Sequence, residues 1–189
     1  MSEEFHLHYL ERGEGPVLVL LHGNGEDSTY FEHQMDAFAS SFHVYALDTR
    51  GHGQSPRGEG EFTIRRFADD LSAFLEEKKI HKASILGFSD GANIAMCFSL
   101  KYPEKVEKLI LDGGNMVGSG VKFHVQAVVV LSYFLLFLVK RWRPQVTRDY
   151  ELLRLMVKDP ALSEEDLKSI SAPTLVMAGD KDMFKDKHT

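Results

Sequence analysis

The 189-residue chain has the length of one domain with a sizeable core, and its 43% hydrophobic and 26% charged residues are those of an ordinary globular protein. A net charge of −6, with no basic cluster before residue 140, argues against a nucleic-acid partner. The single cysteine, Cys97, excludes an intramolecular disulfide, and the acidic start from Met1 to Phe5 lacks the apolar stretch of a signal peptide, so a cytoplasmic location is expected.

Phe5 to Leu10 nearly alternates and reads as an antiparallel opening strand, ended by the turn residues Arg12-Gly13-Glu14-Gly15-Pro16. His6 and His8 share a face, but no third ligand is near, so a solvated strand face is expected rather than a metal pair. Val17 to Leu21 is an unbroken apolar run, as in a parallel strand buried on both faces. It leads into His22-Gly23-Asn24-Gly25, a loop placed where open α/β sheets bind ligands. Thr29 and Glu32 have capping-box spacing ahead of a helix carrying Phe31, Met35 and Phe38 on one face.

Phe42 to Leu47 is the next strand and delivers a second Gly-rich loop, Asp48 to Pro56. Ile64, Phe67, Ala68, Leu71, Phe74 and Leu75 then keep helical spacing. Ala83 to Leu86 forms a strand that ends in Gly87-Phe88-Ser89-Asp90-Gly91, and a helix of small and apolar residues, expected to be buried, follows to about Leu100. Cys97 lies within it and reads as a small buried hydrophobe. Lys108 to Asp112 is a further parallel-type strand, so strand and helix alternate and specify an α/β layered fold.

From Asn115 to Ala172 only helices are predicted: Val125 to Val139, about Val146 to Val157, and a short one from near Ser163. The first is apolar apart from Gln126 and Ser132 and ends at Lys140-Arg141-Trp142-Arg143-Pro144. Its fifteen residues fall short of a bilayer span. It is read as a buried or lid helix in preference to a membrane-surface helix whose basic end meets headgroups. The sheet resumes at Thr174 to Ala178, followed by Gly179-Asp180-Lys181-Asp182.

A serine at the apex of a sharp strand-to-helix turn, flanked two residues away by glycines, is the arrangement of a nucleophile elbow. The helix behind it aims N–H groups at the place where an oxyanion forms. Four landmarks stand in order: His22-Gly23-Asn24, Asp48-x-Arg50-Gly51-His52-Gly53-x-Ser55, Gly87-x-Ser89-x-Gly91 and Gly179-x-x-Asp182. Together they resemble the α/β-hydrolase superfamily from about residue 5 onward.

That resemblance implies a mostly parallel, doubly wound sheet formed by residues 1–114 and 173–189, with a helical cap at 115–172. It implies Ser89 as nucleophile, an oxyanion hole from the backbone N–H groups of Asp90 and of Asn24 or its neighbour, and Asp182 as acid, with Asp180 its competitor. The substrate is expected to be a small acyl compound, cleaved without cofactor or metal. The apolar first cap helix suggests an apolar acyl pocket. A serine here also argues against the epoxide hydrolases and dehalogenases of the superfamily, which use Asp.

The family's histidine lies beyond one more strand, roughly 40 residues past the acid by average element lengths, whereas seven residues follow Asp182. In the family the chain at His188 turns away from the pocket, while His22 and His52 match structural positions. His124 sits in the cap without an acid partner, and His33, His43 and His81 read as surface residues. Three explanations stand: a fragment of a hydrolase of roughly 240 residues, which is preferred because the domain would be of ordinary size; a histidine from another subunit; or a non-catalytic binding module.

Overall fold

The computed structural model describes residues 5–117 and 122–179. Six strands form one sheet: β1 Tyr9–Arg12, β2 Val17–Leu21, β3 His43–Leu47, β4 Ala83–Phe88, β5 Val106–Asp112 and β6 Thr174–Met177. Their spatial order is β1-β3-β2-β4-β5-β6, with β1 antiparallel to β3 and every other pair parallel. The helices are α1 Glu32–Phe38, α2 Ile64–Glu77, α3 Asp90–Lys101, α4 Phe123–Val139, α5 Thr147–Lys158 and α6 Glu164–Ser169.

Side chains alternate across a strand, so an all-apolar strand serves two cores at once. In β2, Leu18 and Leu20 pack with Phe31, Met35, Val44 and Ala46 on the α1 side. Val19 and Leu21 face the larger core, where Phe67, Leu71 and Leu75 of α2 meet Ile94 and Phe98 of α3. Helix α2 starts where the Thr63 hydroxyl accepts the Arg66 N–H at 3.1 Å. Helix α3 is buried from Gly91 to Ser99, as its sequence predicts, and burial pushes the Cys97 thiol up to about 11, which makes it an inert core residue.

The chain leaves β2 for β3 on one side and then crosses back to β4 on the other. The crevice beyond the C-terminal ends of β2 and β4 is therefore a topological switch point, where open α/β sheets take ligands. Helices α4 to α6 lie between β5 and β6 in the chain, and α5 is tied to the loop before α2. The Arg57 guanidinium pairs with Glu151, and Arg154 donates to the Phe62 carbonyl at 2.8 Å.

Three expectations are corrected. The opening strand begins at Tyr9 rather than Phe5, in register with Leu47. The turn before α1 is capped by Asp27, not Thr29: the Asp27 carboxylate accepts the Thr29 N–H at 2.9 Å and also the Thr29 hydroxyl, which turns that side chain toward Asp27. Helix α4 is not buried at any residue; it packs along α5 by one side only. Strand β6 forms the sheet edge among the described residues, with Leu175 and Val176 exposed. No helix of the described residues is long and apolar enough to cross a membrane.

Candidate active site

Strand β4 ends at Phe88 and α3 begins at Asp90, leaving Ser89 alone to turn the chain. Its φ of 53° and ψ of −116° lie in a region that L residues rarely adopt. The turn is held by the Ser89 N–H, which donates to the Asp112 carbonyl at 2.8 Å, and by the Ser89 carbonyl, which accepts from Ala92 at 3.0 Å. Space explains the flanking glycines. A Cβ at Gly91 would lie 2.0 Å from the Leu21 carbonyl oxygen, and one at Gly87 would lie 2.3 Å from the Gly91 backbone.

The loop after β2 lies directly against this turn. A Cβ at Gly23 would come within 3.2 Å of the Ser89 Cβ. The Asn24 amide donates to the Asp90 carboxylate at 2.8 Å and to the Leu152 carbonyl of α5 at 3.1 Å, so loop, elbow and roof are joined by one side chain. The Gly23 N–H is already committed to the Glu26 carboxylate at 3.0 Å. Asp90 is the first residue of α3, where a helix leaves its N–H groups without intrahelical partners. Among the described residues, neither the Asn24 nor the Asp90 N–H meets a protein acceptor.

Burial pushes the Asp90 carboxyl up to about 6, against the bonds from Asn24 and Asn93 that favour its charged form. Burial also raises the Glu26 carboxyl, opposed by the Gly23 N–H. Neither side chain is marked by a local sequence pattern. The sequence marks Asp90 only for its backbone N–H, and the partner of its carboxylate, Asn24, is 66 residues away.

The two loop histidines are held by their Nδ1 atoms, and among the described residues the buried His52 Nε2 has no partner. His22 donates from Nδ1 to the Gly23 carbonyl at 2.7 Å and accepts the Thr49 N–H at Nε2 at 3.0 Å, which fixes a neutral tautomer. His52 donates from Nδ1 to the Arg50 carbonyl at 3.0 Å, and burial, then the neighbouring His22, push it down to about 4. Both are buried, with their rings 5.1 Å apart, and neither hydrogen-bonds to Ser89. Among the described residues, the Ser89 hydroxyl has no hydrogen-bond partner. Asp180, Asp182 and His188 lie outside the described residues.

The second Gly-rich loop is a scaffold. Buried Asp48 accepts N–H groups from Ser28 at 2.7 Å and Gln54 at 2.8 Å, and His8 bonds its other face at 2.8 Å. The expectation of a solvated face is thus corrected at His8, although His6 is exposed and pairs with Glu77. No cluster of metal-binding side chains occurs among the described residues. Arg50 reaches Asp70 of α2 through two nitrogens at 2.7 and 2.5 Å.

An apolar cleft of about 350 Å³ lies between α3, β5, α6 and β6, lined by Met96, Leu111, Met116, Leu167, Ile170 and Val176. Leu111 immediately precedes Asp112, whose carbonyl holds the Ser89 N–H. No α4 side chain lines this cleft; Phe134, Leu135 and Leu138 face outward, while Val125, Val129 and Leu136 share the half-buried side with Gln126 and Tyr133.

A family model described as the alpha/beta hydrolase fold matches residues 16–129, which include both site loops and the elbow. The chain belongs to the α/β-hydrolase fold family. Among curated relatives of this family, the chain is 32% identical over 177 residues to a 2-hydroxy-6-oxononadienedioate/2-hydroxy-6-oxononatrienedioate hydrolase of Burkholderia vietnamiensis, covering 88% of this chain and 52% of the relative. It is 28% identical over 163 residues to epoxide hydrolase 3 of Mus musculus, covering 81% of this chain and 44% of the relative. The chain thus spans about half the length, or less, of these curated α/β-hydrolase relatives. Among solved structures, Est816, titled an N-acyl homoserine lactone degrading enzyme, superposes with a TM-score of 0.75 at 26% identity, covering 100% of this chain and 84% of that one.

Proposed function

We propose that the protein is a serine hydrolase that cleaves a small, apolar ester-type substrate through an acyl-enzyme. The observation that carries this reading is the strained Ser89 turn, placed between the first N–H of α3 and the loop that packs against its Cβ. Ser89 Oγ attacks the substrate carbonyl as its proton passes to a base. The Asp90 and Asn24 N–H groups stabilise the alkoxide, and its collapse expels the leaving alcohol. Water then hydrolyses the acyl group and frees Ser89. Asn24 is preferred to Gly23 as second donor because Glu26 already occupies the Gly23 N–H.

Asp182 is the acid in this reading, and its histidine is neither His22 nor His52. Helices α4 to α6 act as the cap over residues 115–172, with α5 closest to the site through Asn24. The cleft lined by Met96 and Leu111 suits an apolar acyl group. Hydrolysis of short aryl esters, lost in Ser89→Ala, tests the reading. A chain-length series that favoured acetyl over longer acyl groups would contradict the apolar pocket.

A second reading, cleavage of a carbon–carbon bond, is favoured by the Burkholderia relative. Turnover of a 2-hydroxy-6-oxo-dienoate substrate without turnover of esters would select it. Ligand binding unaffected by Ser89→Ala, with no turnover of either substrate, would favour a binding module. The intact mass of the natural protein decides whether a longer chain supplies the histidine: the fragment reading expects a mass well above 21.4 kDa.

A further inference from the structure

Helix α4 carries more apolar surface than its packing covers. A surface helix normally turns its apolar stripe to the core and its polar face to water. Here Val125, Val129 and Leu136 share the half-buried side with Gln126, Tyr133 and Lys140, and the Tyr133 hydroxyl meets that of Tyr150 of α5 at 3.2 Å, yet a second apolar face is left over. Phe123, Val128, Leu131, Phe134, Leu135 and Leu138 project into solvent, Phe123 at 80% and Val128 at 64% exposure. At 100° per residue the outward apolar face covers about half of the helix circumference.

The charge around this face is equally distinctive. Between Asp112 and Asp149 there is no acidic residue, whereas Lys122, Lys140, Arg141, Arg143 and Arg148 are basic, in a chain whose net charge is −6. Arg141 and Arg143 are exposed at the end of α4 and flank Trp142, which is 82% exposed. An amphipathic tryptophan between two guanidinium groups, at the end of an apolar helix face, suits the boundary between headgroups and acyl chains. The helix is 17 residues long, about 26 Å at 1.5 Å per residue, shorter than a hydrocarbon core of about 30 Å. It can lie in such a surface but not cross it.

We propose that α4 and the exposed Arg141-Trp142-Arg143 turn dock the protein on an anionic phospholipid bilayer. Charge complementarity selects this occupant over a second copy of the chain: a second α4 would offer another apolar face but no acidic residue to meet Arg141 and Arg143. The docking surface is carried by residues distinct from the elbow and stands whatever the substrate of Ser89.

Co-sedimentation with vesicles of phosphatidylcholine alone, and of phosphatidylcholine containing phosphatidylserine, tests the proposal on the full chain. Binding to the anionic vesicles should be at least tenfold stronger and should weaken as salt is raised. Trp142, the sole tryptophan, reports docking directly by a blue shift of its emission. Arg141→Ser/Arg143→Ser should lower binding tenfold or more, and Leu131→Ser/Leu135→Ser should abolish it with the thermal midpoint retained, because all four positions are exposed. Absence of binding to anionic vesicles, or equal binding to both vesicle types, overturns the proposal. So does a dimer, seen by sedimentation equilibrium, that Leu131→Ser/Leu135→Ser dissolves while no vesicle binding is detected. Should either double variant fail to fold, the salt dependence and Trp142 shift of the unaltered chain still decide.

Discussion

The Asn24 amide donates to the Asp90 carboxylate at 2.8 Å, joining the loop after β2 to the residue that follows Ser89. A carboxylate held beside a developing oxyanion opposes the charge that the backbone N–H groups would stabilise. Its protonation state therefore bears on both stability and chemistry. Burial outweighs the bonds from Asn24 and Asn93, so Asp90 titrates near 6 in the fold against an ordinary value of 3.8.

The sign follows from proton linkage. Between about pH 4 and pH 6 the folded chain holds a proton that the unfolded chain has released, so raising the pH through this window destabilises the fold. The loss is on the order of 3 kcal/mol. Asp90→Asn should remove it: relative to the unaltered protein, the variant should be less stable at pH 5 than at pH 7. Denaturant unfolding at both pH values measures this, and a difference independent of pH would remove Asp90 as the titrating group.

Asp48 should act in the opposite direction. Burial raises its carboxyl, but the N–H groups of Gln54 and Ser28 and the His8 ring outweigh burial and hold it below the ordinary value. Its contribution is then fully present above about pH 4 and is lost as the pH falls through the folded value. Asp48→Asn should cost about 2 kcal/mol near neutrality and should flatten the acid limb of a stability-versus-pH curve. An unchanged acid limb would place the acid sensitivity elsewhere.

Much of this architecture is legible in the sequence because it rests on local patterns. The apolar run Val17–Leu21, the spacing from Ile64 to Leu75 and the Gly87-x-Ser89-x-Gly91 turn each fix a nearby backbone conformation. What escapes is long-range pairing. No local pattern connects Asn24 with Asp90 or with Leu152, or sends His8 to Asp48. The apolar composition of α4 misleads for a related reason. Composition records that the helix is apolar, whereas its orientation depends on which residues meet α5, and these include Gln126 and Tyr133.

The backbone at Ser89 gives a prediction that separates function from stability. Its φ of 53° is costly for a residue with a Cβ, on the order of 1 kcal/mol or more, and glycine adopts it freely. Ser89→Gly and Ser89→Ala both remove the hydroxyl and should both abolish turnover. Ser89→Gly should nevertheless be the more stable by about 1 kcal/mol, because strain relief exceeds the extra unfolded-state entropy of glycine. A Ser89→Gly protein less stable than Ser89→Ala would show that the turn is unstrained.

The glycines on either side of the site should respond differently, because their neighbours differ in what can move. A Cβ at Gly91 meets the Leu21 carbonyl at 2.0 Å, and both groups belong to backbone fixed in β2 and α3. Gly91→Ala should therefore cost about 3 kcal/mol or more and should yield little folded protein. A Cβ at Gly23 meets the Glu26 Oε2 at 2.9 Å, the end of a flexible side chain, and the Ser89 Cβ at 3.2 Å. Glu26 can swing away, so Gly23→Ala should fold with a loss of only about 1 kcal/mol. The loop must still move a few tenths of an ångström from Ser89, which carries the Asn24 N–H away from the developing alkoxide. Turnover should fall about a hundredfold, in kcat rather than KM, as for the loss of one oxyanion donor. Folded Gly23→Ala protein with undiminished kcat would exclude this loop from the oxyanion hole.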